Sequence, residues 1–211
     1  MAPVPSSASS LVFRSGAAPW LTGFLVVLGA VIAGLGLGGG AASAVASVLV
    51  GAAVAHLGWY LYWRPHVRVG PEGVRVVNPL RTVVVPWGAL VDVRNRFALT
   101  LVTRERSVTC FALPAGGARA ALRGAPGDLT GTHPSARPDG TVRSGDLLST
   151  RGGAAADAIR RRWQAMVEDG TLDVFADRDP EDDAVRTELR PAPTLVLLVL
   201  GALAAAAVLA G

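Results

Sequence analysis

Gly73-Val-Arg-Val-Val-Asn-Pro-Leu-Arg-Thr-Val-Val-Val-Pro-Trp87 is the stretch on which the reading of this chain turns. Val74 and Val76 alternate with Arg75, and Val83 and Val85 repeat the pattern after Asn78-Pro79. A side-chain period of two with a turn between its halves marks two half-buried strands. Pro86 has no N–H for a ladder, so the second strand ends there or lies at an edge.

The alternation extends in both directions. Upstream, Val67 and Val69 alternate with Arg68 between His66 and Gly70, and Pro71-Glu72-Gly73 supplies a turn. Downstream, Val91 and Val93 alternate with Asp92 and Arg94, and Phe97, Leu99 and Leu101 follow. Val108, Cys110 and Ala112 answer them across a turn at residues 104–107. About six short strands on connections too short for a parallel crossover predict antiparallel pairing. From Pro114 to Gly153 the chain dissolves into Gly, Pro, Ser, Thr, Arg and Asp, the composition of a long flexible insertion. Helical spacing returns over 154–169, where Ala155, Ile159, Trp163, Met166 and Val167 share a face and Gly170 stands at the C-cap position. Arg160, Arg161 and Arg162 read as its solvated side.

Apolar stretches flank this central region. Residues 20–39 hold ten Leu, Ile, Val or Phe residues and no charge. As a helix they reach ~30 Å, the thickness of a hydrocarbon core. Residues 42–63 hold seven such residues, again without charge, and follow after a glycine-rich turn, so the two predict a helical hairpin. Residues 194–211 form a third apolar segment at the short end of a spanning length. Ala42-Ser43-Ala44 resembles a small-residue cleavage site, which makes a signal peptide the alternative reading of the first segment. The length of the first run and the second run behind it favour the hairpin.

All 16 acids and every basic residue except Arg14 lie between Arg64 and Arg190, so a polar domain sits between apolar ends. Arg64, Arg68, Arg75 and Arg81 follow the second apolar run and Arg186 and Arg190 precede the third, whereas the hairpin turn carries none. The positive-inside rule then puts residues 1–19 and the central domain in the cytoplasm of a multi-pass cell-membrane protein. Trp20 at the start of the first run, and Trp59, Tyr60, Tyr62 and Trp63 at the end of the second, suit the same interface. Ser43, Ser47, Gly51 and Ala55, with Gly34 and Gly38, give the small-residue spacing of close helix packing; self-association through that face is the alternative. His56 is the one ionisable residue in an apolar run, and with no intramembrane acid beside it reads as packing or interfacial.

Chemistry is hard to find. The chain has one cysteine and three scattered histidines, which gives neither a disulfide nor a metal-ligand spacing. Gly34-Leu-Gly36-Leu-Gly38 lies inside an apolar run and is not a nucleotide fingerprint. No nucleophile, phosphate-loop or zinc motif is present, so no catalytic, cofactor or metal residues are expected and the chain reads as non-enzymatic. A net charge of +4 gives little support to nucleic-acid binding. Between Arg64 and Arg106 eight arginines face three acids, and each arginine near an anionic leaflet is worth about 1 kcal/mol.

Short strands closed by one helix bearing a tryptophan, here Trp163, together with the 73–87 stretch, resemble bacterial pleckstrin-homology (PH) domain proteins, in particular actinobacterial membrane proteins with a helical hairpin ahead of the domain. The resemblance implies an antiparallel β-barrel capped by a C-terminal helix over residues 64–174, interrupted by the insertion at 114–153 and followed by an acidic linker at 175–193. Trp87 and Trp163 are its candidate core residues. Phosphoinositide-binding relatives carry clustered basic residues at the first hairpin, and Gly70-Pro71-Glu72-Gly73 has none, so inositol-lipid recognition is not implied. The fold class is thus an α-helical membrane anchor with an α+β PH-like domain. The expected partners are the bilayer, through Arg64, Arg68, Arg75 and Arg81, or an unidentified protein. The other reading is an accessory subunit of a transporter or cell-envelope complex that works through its helices.

Overall fold

The computed structural model describes residues 10–114, 150–172 and 183–209. The chain divides into a sheet unit, built on residues 66–78 and 82–188 with the N-terminal 15 residues, and a helix unit of residues 16–65, 79–81 and 189–211. Residues 115–149 of the expected insertion and 175–182 of the expected acidic linker lie outside the described residues.

In the sheet unit, β1 (Leu11–Phe13), β2 (His66–Val69), β3 (Gly73–Val77), β4 (Arg81–Pro86) and β8 (Arg186–Leu189) form one sheet in the order β1–β2–β3–β4–β8. A second sheet holds β5 (Leu90–Asn95), β6 (Ala98–Thr103) and β7 (Ser107–Pro114) in that order. The pairings from β1 to β4 and from β5 to β7 are antiparallel. The strand assignments made from the 73–87 stretch hold: β3 and β4 pair with Val74 opposite Val85 and Val76 opposite Val83, and all four are buried. The strands make two sheets rather than one closed barrel.

Helix α3 (Arg151–Glu168) begins three residues before the apolar spacing suggested. The reason is a cap, since Thr150 is extended and its hydroxyl accepts the Gly153 N–H at 2.9 Å. Ala155, Ala156 and Ile159 are fully buried in the core beside Leu99, Leu101 and Cys110, and Trp163 and Met166 pack at its margin. Val167, expected on the buried face, is more than a third exposed. Gly170 adopts φ +74, and Leu172 N–H reaches back to Met166 O at 2.7 Å, closing the helix with the glycine the sequence offered.

Two strands were not legible as strands. β1 lies within the expected N-terminal tail and β8 within the expected linker. Both are edge strands, β1 of three residues and β8 of four with every residue exposed, so neither carries an apolar alternation. Arg106 holds β8 in place, donating to Val185 O at 2.9 Å and Thr187 Oγ1 at 2.6 Å. Two residues of the alternating apolar run are outside: Val91 is 55% exposed and Phe97 79%. The β5–β6 register shifts between Leu90 and Asp92, which turns Val91 outward, and Phe97 occupies the hairpin turn.

The helix unit contains three helices long and apolar enough to cross a membrane, spanning Ala18–Gly38, Ala41–Trp63 and Ala192–Leu209. The first is α1 (Ala18–Leu35) with a 3-10 turn at Gly36–Gly38, and the second is α2 (Ala41–Gly58) with a π-helical turn at Trp59–Trp63. The third is α4 (Ala192–Leu209). α1 and α2 cross most closely at Gly29 and Gly51, where a Cβ on either residue would overlap the carbonyl of the other. Gly36 fits against Ser47, whose hydroxyl donates to Ala33 O at 3.3 Å. The small residues of α2 therefore pack within the hairpin, but their partners are Gly29 and Gly36; Gly34 and Gly38 touch nothing that a Cβ would meet. His56 Nε2 donates to Pro193 O at 3.1 Å and the Tyr60 hydroxyl bonds Thr194 Oγ1 at 2.9 Å, so His56 serves packing against α4.

Candidate functional site

Register brings two of the four candidate surface arginines together. Arg68 on β2 and Arg75 on β3 are direct cross-strand partners, both exposed on the face opposite Val67, Val69, Val74 and Val76. Val12 lies opposite Arg68 on β1 and Val84 opposite Arg75 on β4, so one row across the sheet reads Val12, Arg68, Arg75, Val84. Like charges directly opposite one another destabilise a sheet. Arg68 Nη2 donates to Ser10 Oγ at 3.0 Å, and among the described residues no carboxylate pairs with Arg75.

The other two arginines lie elsewhere. Arg64 belongs to the helix unit, donates to Pro79 O at 2.6 Å and lies over the Tyr60 ring at 5.9 Å. That bond, together with Arg190 N–H on Leu80 O at 3.1 Å, fastens the 79–81 segment to residues that flank helices. Arg81, exposed, opens β4 beside them.

Both candidate core tryptophans are structural. Trp87 is 3% exposed, and its indole N–H is shared between Gly70 O at 3.1 Å and Pro71 O at 2.9 Å, which pins the β2–β3 turn. Trp163 packs on the core with its indole N–H buried and unbonded among the described residues. The arginine triplet of α3 is not simply solvated. Arg160 Nη2 donates to Val93 O at 2.6 Å, and Arg161 Nε meets the buried Asp157 carboxylate at 2.7 Å, a pairing that raises the Arg161 pKa.

Sequence reading missed Asn78, whose neighbours are far along the chain. Its amide donates to Thr109 O at 2.8 Å and accepts the Phe111 N–H at 2.9 Å, substituting for a strand on that stretch of β7. It also placed Phe97 in the alternating run of a strand. The ring stands in the open instead, with the Arg96 guanidinium 4.9 Å from its centroid. Cys110 is fully buried, and burial pushes its thiol up to about 12. Among the described residues no cluster of His, Cys, Asp or Glu is arranged to hold a metal.

No curated protein and no solved structure matches the chain. The family model described as a bacterial PH domain matches residues 64–165, which takes in β2 to β7 and most of α3. Two stacked antiparallel sheets of short strands, a terminal helix on their core and this match agree, and residues 64–165 are a bacterial PH domain.

Proposed function

We propose that this is a non-enzymatic, multi-pass protein of the cell membrane that carries its PH domain on the cytoplasmic side, where the Arg68–Arg75 row binds an anionic leaflet. The observation that carries the reading is that row: two adjacent guanidinium groups, no carboxylate for Arg75 among the described residues, and apolar Val12 and Val84 at its ends. A bound phosphate would relieve the repulsion between the two, and each arginine at a leaflet contributes about 1 kcal/mol. Connections of two residues between Trp63 and His66, and of two between Leu189 and Ala192, tether the domain to apolar helices. The arginine bias supports the cytoplasmic side.

Hydrogen exchange of the full chain in nanodiscs tests the reading. Residues 66–77 are expected to exchange more slowly in phosphatidylglycerol than in phosphatidylcholine, with the difference lost at high salt and in the Arg68→Gln/Arg75→Gln variant. Equal exchange in the two lipids rejects it. Reporter fusions at Ser107 test the side of the membrane, and an extracytoplasmic signal overturns the cytoplasmic assignment.

A protein partner is the second reading. It is favoured by the edge strands β1 and β8, since all four residues of β8 are exposed and an edge can take an added strand. Native co-purification that disappears when Thr187 is replaced by proline supports it. A role as accessory subunit through the helices is tested on the outward residues Leu198 and Val199 of α4. Gly51 is unsuitable for that test because it is occupied within the hairpin.

A further inference from the structure

The helix unit carries all of its arginine at one place. Residues 16–65, 79–81 and 189–211 contain no Asp or Glu, and their only Lys or Arg residues are Arg64, Arg81 and Arg190. Folding gathers the three around one short turn. Arg64 Nη1 donates to Pro79 O at 2.6 Å, the Arg190 N–H donates to Leu80 O at 3.1 Å, and Arg81 follows Leu80 in the chain. Arg81 and Arg190 are exposed, and Leu80, held in that turn, is 60% exposed. A single exposed leucine is ordinary on a protein surface, and it is the position of this one on the helix unit that calls for an occupant.

Two further bonds fix that position. His56 Nε2 on Pro193 O and the Tyr60 hydroxyl on Thr194 Oγ1 set the end of α2, with its π-helical turn, level with the start of α4. These are the ends of two segments long and apolar enough to cross a membrane, Ala41–Trp63 and Ala192–Leu209. Trp63, 42% exposed, immediately precedes Arg64, and Arg190 stands two residues ahead of Ala192. Aromatic rings and arginines at the ends of apolar spans occupy the headgroup layer of a bilayer. The bonds from Arg64 and Arg190 therefore hold Pro79, Leu80 and Arg81 in that layer, where the leucine meets the upper acyl chains and the cations meet phosphates.

We propose that Pro79-Leu80-Arg81 is a membrane-entering turn that holds the phosphate of an anionic phospholipid among Arg64, Arg81 and Arg190 and places Leu80 at the top of its acyl layer. The turn rests on the reading of the chain as a multi-pass membrane protein, and it is separate from the Arg68–Arg75 row in its residues and in its test. That test is local quenching in the full chain reconstituted in nanodiscs. Leu80→Cys and, as the reference inside an apolar span, Leu203→Cys each carry an environment-sensitive dye. Wild-type protein, in which Cys110 is buried, serves as the labelling blank. The expected result is quenching at 80 chiefly by lipids brominated near the headgroup end of the acyl chain, and at 203 chiefly by lipids brominated deeper. At equal mole fraction, brominated phosphatidylglycerol is expected to quench 80 several-fold more than brominated phosphatidylcholine. That preference is expected to vanish in Arg81→Gln/Arg190→Gln and to survive both in Arg81→Lys/Arg190→Lys and in Arg68→Gln/Arg75→Gln.

Equal quenching at 80 by the two lipids overturns the phosphate site, and so does loss of the preference in Arg68→Gln/Arg75→Gln, which assigns the lipid to the row. Absence of lipid quenching at 80 with quenching intact at 203 overturns the turn alone, whether 80 is open to aqueous iodide or shielded from it by a protein. Absence at both positions overturns the membrane reading and the turn with it. Thermal midpoints of the Arg81/Arg190 variants are expected to match wild type, since Arg190 bonds Leu80 through its backbone N–H, which Gln and Lys both keep. A fall shared by the Gln and Lys variants marks a structural role and overturns the site. Failure of the turn is separable from failure of the arginine row, because the row is read by exchange at 66–77 and the turn by quenching at 80.

Discussion

Asn78 joins the two sheets with a single side chain. Its amide is buried, and its donor and acceptor are both satisfied by β7 backbone at Thr109 and Phe111. Removing it breaks two part-buried hydrogen bonds to β7, each worth about 0.5–1.5 kcal/mol. Asn78→Ala is therefore expected to lower the midpoint of thermal unfolding in detergent, and Asn78→Asp as well, since a carboxylate keeps the acceptor for Phe111 but loses the donor for Thr109. An unchanged midpoint in both variants would show that the sheets are held by the apolar core alone. Cys110 makes a prediction in pH. Its folded pKa of about 12 lies above the ordinary 9.0, so the unfolded chain releases the proton first. Its contribution is complete below 9.0 and is lost as pH rises towards about 12. Cys110→Ala is expected to flatten the alkaline fall in stability, as measured by denaturant midpoints from neutral to alkaline pH.

Elements differ in how plainly they announce themselves. β2, β3 and β4 are written in the valine alternation around Asn78-Pro79, and the end of α3 in Gly170, because period and punctuation are local. Val91 and Phe97 misled because one bulge and one turn invert the face on which a residue lies, and neither is marked by glycine or proline. β1 and β8 carry no period at all; they are strands because β2 and β4 offer them open edges. In the helices, composition gave spans and small residues, but only packing distinguishes Gly29 and Gly36, which meet α2, from Gly34 and Gly38, which meet nothing a Cβ would touch. Of the candidate arginines, the pairing of Arg68 with Arg75 follows once the turn at Gly70–Gly73 fixes the register, whereas Arg64 bonding Pro79 needs the folded chain. Gly51→Leu is expected to prevent close α1–α2 packing and to reduce the yield of folded protein from the membrane, whereas Gly34→Leu is expected to be tolerated. Equal yields from the two variants would argue against the Gly29–Gly51 crossing.

At the scale of the whole molecule, the sheet unit that holds the PH domain is not one continuous segment. Its first sheet takes β1 from before α1 and β8 from just ahead of α4, so a fragment of residues 64–174 lacks both edge strands. That fragment is expected to aggregate or unfold at lower denaturant than the full chain, because β2 and β4 are left with open ladders; equal midpoints would mean the edges add nothing. The insertion of α1 and α2 between β1 and β2 has a further consequence, one of parity. Strands that hydrogen-bond to each other occupy the same compartment, and Val12 pairs with Arg68 across 55 residues of intervening chain that include both apolar helices. The number of crossings between them is therefore even, and α1 and α2 enter the bilayer together or not at all. A tag on the N-terminus is expected to report the same side of the membrane as one at Ser107, and signals from opposite sides would overturn the β1–β2 pairing. The β1–β2 ladder can close only where both ends of the α1–α2 hairpin lie on one side, so a single short edge strand ties the two helices to a common fate.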